Sequence, residues 1–130
     1  QIREARTRLE TIQKWSVGNA GAKTVIEAAT ALGTKMAPIE GRLLQVKLAA
    51  SEDNLRYPNM LNEQYDTFAA TLDSEDFGPT ESQRQVYAYL HGELAGELAK
   101  WRAVRDTDLP ALQALLRDRG VPLIGDVKSP

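Results

Sequence analysis

One histidine, no cysteine and a scatter of carboxylates make up the chemical inventory of this 130-residue chain. Without cysteine there is no disulfide, no thiolate ligand and no thiol nucleophile. His91, the single histidine, rules out any site that needs two imidazoles. A di-iron helical bundle requires Glu-x-x-His pairs on two helices. Position 88, three before His91, is Ala88, so not even one such pair forms. Glu93 and Glu97 stand four apart on one helix face, but a general acid or base needs a pocket that shifts its pKa. The sequence supplies no sign of one, so these two carboxylates read as solvated and His91 as a partly exposed helix residue.

Two loops resemble ligand loops and fail on inspection. Asp73-Ser74-Glu75-Asp76-Phe77-Gly78 alternates acidic residues before a glycine at the sixth position, as a calcium loop does. Its fifth position is Phe77, and its twelfth, where a bidentate Glu belongs, is Arg84. Gly18-Asn19-Ala20-Gly21-Ala22-Lys23-Thr24 is similar to a phosphate loop, but Ala22 separates the glycine from the lysine and no strand precedes it. It reads as a helix–helix turn. The sequence therefore assigns no catalytic, cofactor-binding or metal-binding residue and points away from an enzyme. What remains is aromatic: Trp15, Trp101, Tyr57, Tyr65, Tyr87 and Tyr89 supply packing or a contact patch. Tyr87 and Tyr89 cannot both face inward on one helix, so one of them is expected to meet a neighbour.

The elements that would position these side chains are legible as helices. Val25, Ala29, Leu32, Met36, Ile39, Leu43 and Val46 recur in alternating steps of four and three, which places one apolar stripe along a helix from about Ala22 to Ala50. Pro38 lies inside that stripe and is expected to kink the helix rather than break it, because the apolar phase continues past it. Ile2, Ala5, Leu9 and Ile12 mark a first helix, with Glu4 and Arg8, and Glu10 and Lys14, spaced for i,i+4 pairing. Ser51-Glu52-Asp53-Asn54 is a polar stop, and Tyr57-Pro58 predicts the start of a third helix with the stripe Leu61, Tyr65, Phe68 and Leu72. Thr80 with Gln83 fits a capping box ahead of a long fourth helix whose apolar face takes in Val86, Leu90, Leu94, Leu98 and Trp101. Thr107-Asp108-Leu109-Pro110 either kinks that helix or starts a short fifth one bearing Leu112, Leu115 and Leu116. Gly120 and Pro122 close it as a C-cap glycine and a following proline, and Val121-Pro122-Leu123-Ile124 is expected to pack across an end. No strand pattern occurs, so the predicted fold is all-α, an antiparallel four-helix bundle with a kinked long last helix or a short fifth helix.

Composition agrees with a single folded domain over residues 1–130. The chain is 42% hydrophobic and 26% charged, ordinary for a globular protein and outside the disordered range. Sixteen basic and 18 acidic residues are interspersed, giving a formal charge of −2 and no basic block for phosphates. Nucleic acid is accordingly excluded as a partner. No apolar run approaches the roughly 20 residues of a membrane helix. The chain opens Gln1-Ile2-Arg3 and enters an amphipathic pattern at once, so it is read as a piece cut from something longer.

An ordered series of short motifs adds a family to this reading. Leu55-Arg56-Tyr57-Pro58-Asn59-Met60-Leu61-Asn62, then Pro79-Thr80, then Thr107-Asp108-Leu109-Pro110-Ala111-Leu112, and finally Gly120-Val121-Pro122-Leu123-Ile124 resemble the C-terminal helical region of bacterial proteins built on a sortilin-like β-propeller with BNR repeats, often labelled glycosyl hydrolase or sialidase-like. The resemblance runs from about Val25 to Ile124, and its most specific piece is Tyr-Pro-x-x-Leu-Asn. It implies that carbohydrate chemistry belongs to a propeller outside this chain, and that the whole protein is exported to the periplasm, cell surface or medium. It implies as partners that propeller or other copies of the chain. The matching residues then read structurally: Tyr57-Pro58 sets a helix entry, Asn62 bonds loop backbone, and Pro110 and Gly120 shape the last helix. Pro38 and Arg56 depart from the pattern. The rival expectation is a free-standing four-helix bundle that senses a small molecule between its helices.

Overall fold

The computed structural model describes residues 1–16, 22–47, 57–74 and 78–121. Five α-helices account for most of them: α1 (Ile2–Ser16), α2 (Lys23–Leu43), α3 (Leu61–Asp73), α4 (Glu81–Ala103) and α5 (Leu109–Asp118), with a π-turn at Val104–Asp108 joining α4 to α5. The described residues contain no strand. The all-α helical-bundle class read from the sequence is thus the observed one. The chain divides into two compact units, Gln1–Pro38 with Trp101–Pro130, and Ile39–Lys100.

In the first unit the period of the apolar residues decides what is buried. Ile2, Ala5, Leu9 and Ile12 form the inner face of α1, and Val25, Ala29, Leu32 and Met36 that of α2. Trp101, Val104, Leu112, Leu116 and Val121 supply the third side. Outside this core, Gln13 Nε2 donates to Thr30 Oγ1 at 2.9 Å across α1 and α2. The Glu4–Arg8 pair forms at 2.6 Å, as its spacing implies. At the far end of α5, Gly120 takes φ +64°, where a side chain would be strained. The amide of Gly120 then bonds the carbonyl of Arg117, and that of Val121 the carbonyl of Leu116, which closes the last turn. Residues 122–124, expected to pack across an end, lie outside the described residues, as do the turn at 17–21 and the loop centre at 75–77.

Among the described residues of the second unit the buried apolar side chains are Ile39, Leu61 and Leu90, while Phe68, Leu72, Leu94 and Leu98 are half-buried. Polar anchors accompany them. The buried amide of Gln45 donates to the Pro58 carbonyl at 2.8 Å and accepts from the Lys47 amide at 3.2 Å, fixing both sides of the connection into α3. The Lys47 ammonium sits 5.5 Å from the centre of the Tyr57 ring.

Several expectations are corrected at element ends. α2 stops at Leu43 rather than near Ala50, so the stripe is buried only through Ile39; Leu43 is half-buried and Val46 lies beyond the helix, exposed. α3 begins at Leu61, not at Pro58: Met60 takes the N-cap position, and its amide donates to Glu63 Oε2 at 2.9 Å. The Asn62 amide reaches Asp66 one turn on, at 3.4 Å, and among the described residues no bond from it to loop backbone is seen. By contrast, the Thr80–Gln83 box forms reciprocally, Thr80 N to Gln83 Oε1 at 2.7 Å and Gln83 N to Thr80 Oγ1 at 3.2 Å. Pro38 stays inside α2 with helix on both sides, so the helix is not broken there.

Pro110 resolves the ambiguity of the last helix. A proline cannot donate to the carbonyl four residues back, and its ring crowds that carbonyl. The chain answers by widening the preceding turn: the Leu109 amide bonds the Val104 carbonyl, five residues back instead of four. Helix therefore runs from Glu81 to Asp118 through a π-turn, without a separate start for α5.

Candidate functional site

The residues that looked most like chemistry are held apart from one another or in ion pairs. His91 is exposed, and its ring stacks on Tyr87 with centroids 5.6 Å apart and planes 18° from parallel. Glu93 accepts from Arg42 Nη2 at 2.8 Å between α4 and the end of α2. That hydrogen bond raises the Arg42 pKa above its ordinary value against the opposing effect of burial. Glu97 accepts from Lys100 at 2.6 Å and keeps only 12% of its side-chain surface exposed. The two carboxylates expected to be solvated are thus salt-bridged and partly covered. Among the described residues, no three His, Asp or Glu side chains come together as metal ligands would.

Two surface features stand out, one in each unit. The first is a groove in unit one where Ala28, Ala31 and Leu32 of α2 face Ala111, Leu112 and Leu115 of α5. Alanines make its walls low, and its volume of about 340 Å³ lies at the lower end of the small-molecule range. At one end the Lys35 ammonium bridges to the Asp108 carboxylate. Asp108 is the last residue of the π-turn, so Pro110 helps set where that carboxylate stands. Two residues earlier, Arg105 and Asp106 make a forked pair at 2.6 and 3.0 Å. Its hydrogen bonds raise the arginine and lower the aspartate relative to their ordinary pKa values.

The second feature is the first half of α4, where Val86, Tyr87 and Tyr89 are 45%, 51% and 61% exposed. Both tyrosines face outward, where the sequence argued for one. Val86, expected on the apolar inner face with Leu90, is uncovered because that face is buried only from Leu90 onward. Nearby, Tyr65 on α3 has a buried hydroxyl with no hydrogen-bond partner, and burial raises its pKa.

Sequence reasoning named the tyrosines, His91 and the Glu93–Glu97 pair but missed the groove and two inter-helix ion pairs, Arg42–Glu93 and Lys35–Asp108. Pro110 was the available signal for the groove's odd end, since it requires a distorted turn just where Asp108 lies. No family model, curated protein or solved structure matches this chain. No helix among the described residues is long and apolar enough to cross a membrane.

Proposed function

We propose that this chain is a non-catalytic C-terminal helical accessory domain of a larger exported BNR-repeat β-propeller protein, acting through docking, assembly or contact with another protein. The observation that carries the contact role is the uncovered apolar stretch Val86, Tyr87 and Tyr89 on α4, because large aromatics cost free energy in water and are favoured where surfaces meet. The propeller connection is supported by the ordered motif series around Tyr57-Pro58, Pro79-Thr80, Asp108-Leu109-Pro110 and Gly120. The test is the size of the native polypeptide, read with an antibody against this domain on a denaturing blot of cell and secreted fractions. A band several-fold larger than the chain's own 14.4 kDa, present in the exported fraction, is the expected result. A band near 14.4 kDa would sink this reading.

The groove between α2 and α5 favours one rival, a free-standing sensor that takes a small apolar molecule against Leu32, Leu112 and Leu115. A metabolite panel read by thermal shift separates the two, since a ligand that binds only the folded state raises the melting temperature in a saturable way. A flat response is the expected result.

A further inference from the structure

The end of α5 hands the chain on in a defined direction. Gly120, in the left-handed region, turns the backbone back on itself, and the Val121 amide bonds the Leu116 carbonyl. Val121 therefore stands level with the last turn of the helix, its side chain buried. The residues that follow in the sequence, Pro122-Leu123-Ile124-Gly125-Asp126, lie outside the described part. Leu123 and Ile124 extend the apolar run that begins at Val121, and such side chains gain by leaving water. The same compact unit offers them a surface. Its groove runs back along α5 from Leu115 to Asp108, with the buried Leu32 and Leu112 inside it and the exposed Ala31 and Ala111 at its edges.

We propose that this groove is filled by the chain's own segment 122–126, running back along α5 as a strap. The lengths match. A helix rises about 1.5 Å per residue, so the stretch from Leu116 back to Asp108 spans about 12 Å. Extended chain covers about 3.3 Å per residue, so about four residues beyond Val121 bridge that span. Leu123 and Ile124 then come beside Leu112 and Leu115, and Asp126 reaches the end where Lys35 and Asp108 stand. The alanine walls leave room for the backbone of a strap, which longer side chains would occupy themselves. The Lys35 ammonium carries three donors, and Asp108 takes one while the side chain stays exposed. The Asp126 carboxylate shares that ammonium. An exposed pair of this kind adds little strength, so it sets the register while the apolar residues supply the attachment. A groove filled from within the chain also accounts for the flat response expected of the metabolite panel. The strap holds whether or not the chain belongs to a larger protein.

Because the chain has no cysteine, Val127→Cys gives a single attachment point for a nitroxide just past the strap. Amide NMR spectra of the labelled 130-residue chain, recorded with the nitroxide oxidised and then reduced, test the proposal. The expected result is loss of most of the peak intensity at Lys35 and Ala111, a smaller loss at Ala28, and recovery on reduction. Adding Leu123→Ser with Ile124→Ser to the labelled chain is expected to abolish the loss at Lys35 and Ala111. Its helix content by circular dichroism should be that of the parent, since no described core residue is changed. Losses confined to the last turn of α5 would overturn the strap, as would losses at Lys35 and Ala111 that survive the two serines. A loss passed from labelled chains to isotope-enriched unlabelled chains in a mixture would put a second copy's segment in the groove, and would overturn it too. None of these results bears on the accessory-domain reading, which rests on the size of the native polypeptide.

Discussion

Tyr65 and Met36 carry the clearest consequences of single side chains. The Tyr65 hydroxyl is buried without a partner, so it forfeits its bonds to water and gains nothing in return. Tyr65→Phe is expected to raise stability by up to about 1 kcal/mol in urea denaturation. The same burial raises the pKa of Tyr65 above its ordinary 10.0 in the folded state. A raised folded pKa means that the stability it contributes is complete below the unfolded value. That stability is lost as pH climbs from 10.0 through the folded value. The slope of stability against pH in that alkaline range should be shallower in Tyr65→Phe than in the parent chain. Met36 is fully buried in the first unit, so Met36→Ala should cost about 2–5 kcal/mol. Leu43, near the end of α2 and half-buried, should cost clearly less when cut to alanine. Equal losses at the two positions would mean that the stripe is covered along its whole length, as the heptad alone suggested.

At the scale of elements, local rules and packing divide the outcome between them. Gly33 lies in α2 with nothing within 4 Å of a Cβ, so Gly33→Ala should stabilise by about 0.5–1 kcal/mol, measured by chemical denaturation. Pro110→Ala returns an amide to the Asp106 carbonyl and removes the crowding that widens the turn. The expected outcome is a regular α register through 104–108 and the loss of coupling between Lys35 and Asp108 in a double-mutant cycle. That coupling is a surface one and starts below about 1 kcal/mol. These two helices also show what a sequence reveals. The buried faces of α1 and α2, the Thr80–Gln83 box and the Gly120 cap follow from periodicity and short-range hydrogen bonding, both of which are written locally. The stop of α2 at Leu43 was hidden because Val46 kept the apolar phase after the helix had ended. The groove was hidden too, since its two walls lie far apart in sequence and alanine gives no periodic signal. The salt-bridged state of Glu93 depended on Arg42, fifty-one positions away, which no spacing rule reaches.

Across the whole molecule, the two units differ in how they are held. Among the described residues, the first has an apolar core drawn from α1, α2 and the stretch after Trp101, whereas the second buries Ile39, Leu61 and Leu90 beside polar anchors such as Gln45 and the Arg42–Glu93 pair. Apolar burial sets local stability more strongly than exposed polar bonds do. Native-state hydrogen exchange should therefore find the amides of α1 and of Val25–Met36 slowest, and those of α3 markedly faster. Uniform protection would contradict that division. The contact role proposed for this domain turns on one surface, the outward side of α4 with Tyr87 and Tyr89. Tyrosine nitration read by mass spectrometry, on the dilute isolated chain and on the native protein from its source, tests that directly. Tyr87 and Tyr89 are expected to react readily in the isolated chain and to be several-fold protected in the native protein, with Tyr65 slow in both. Equal reactivity of Tyr87 and Tyr89 in the two samples would mean that nothing covers this face, and would contradict the account.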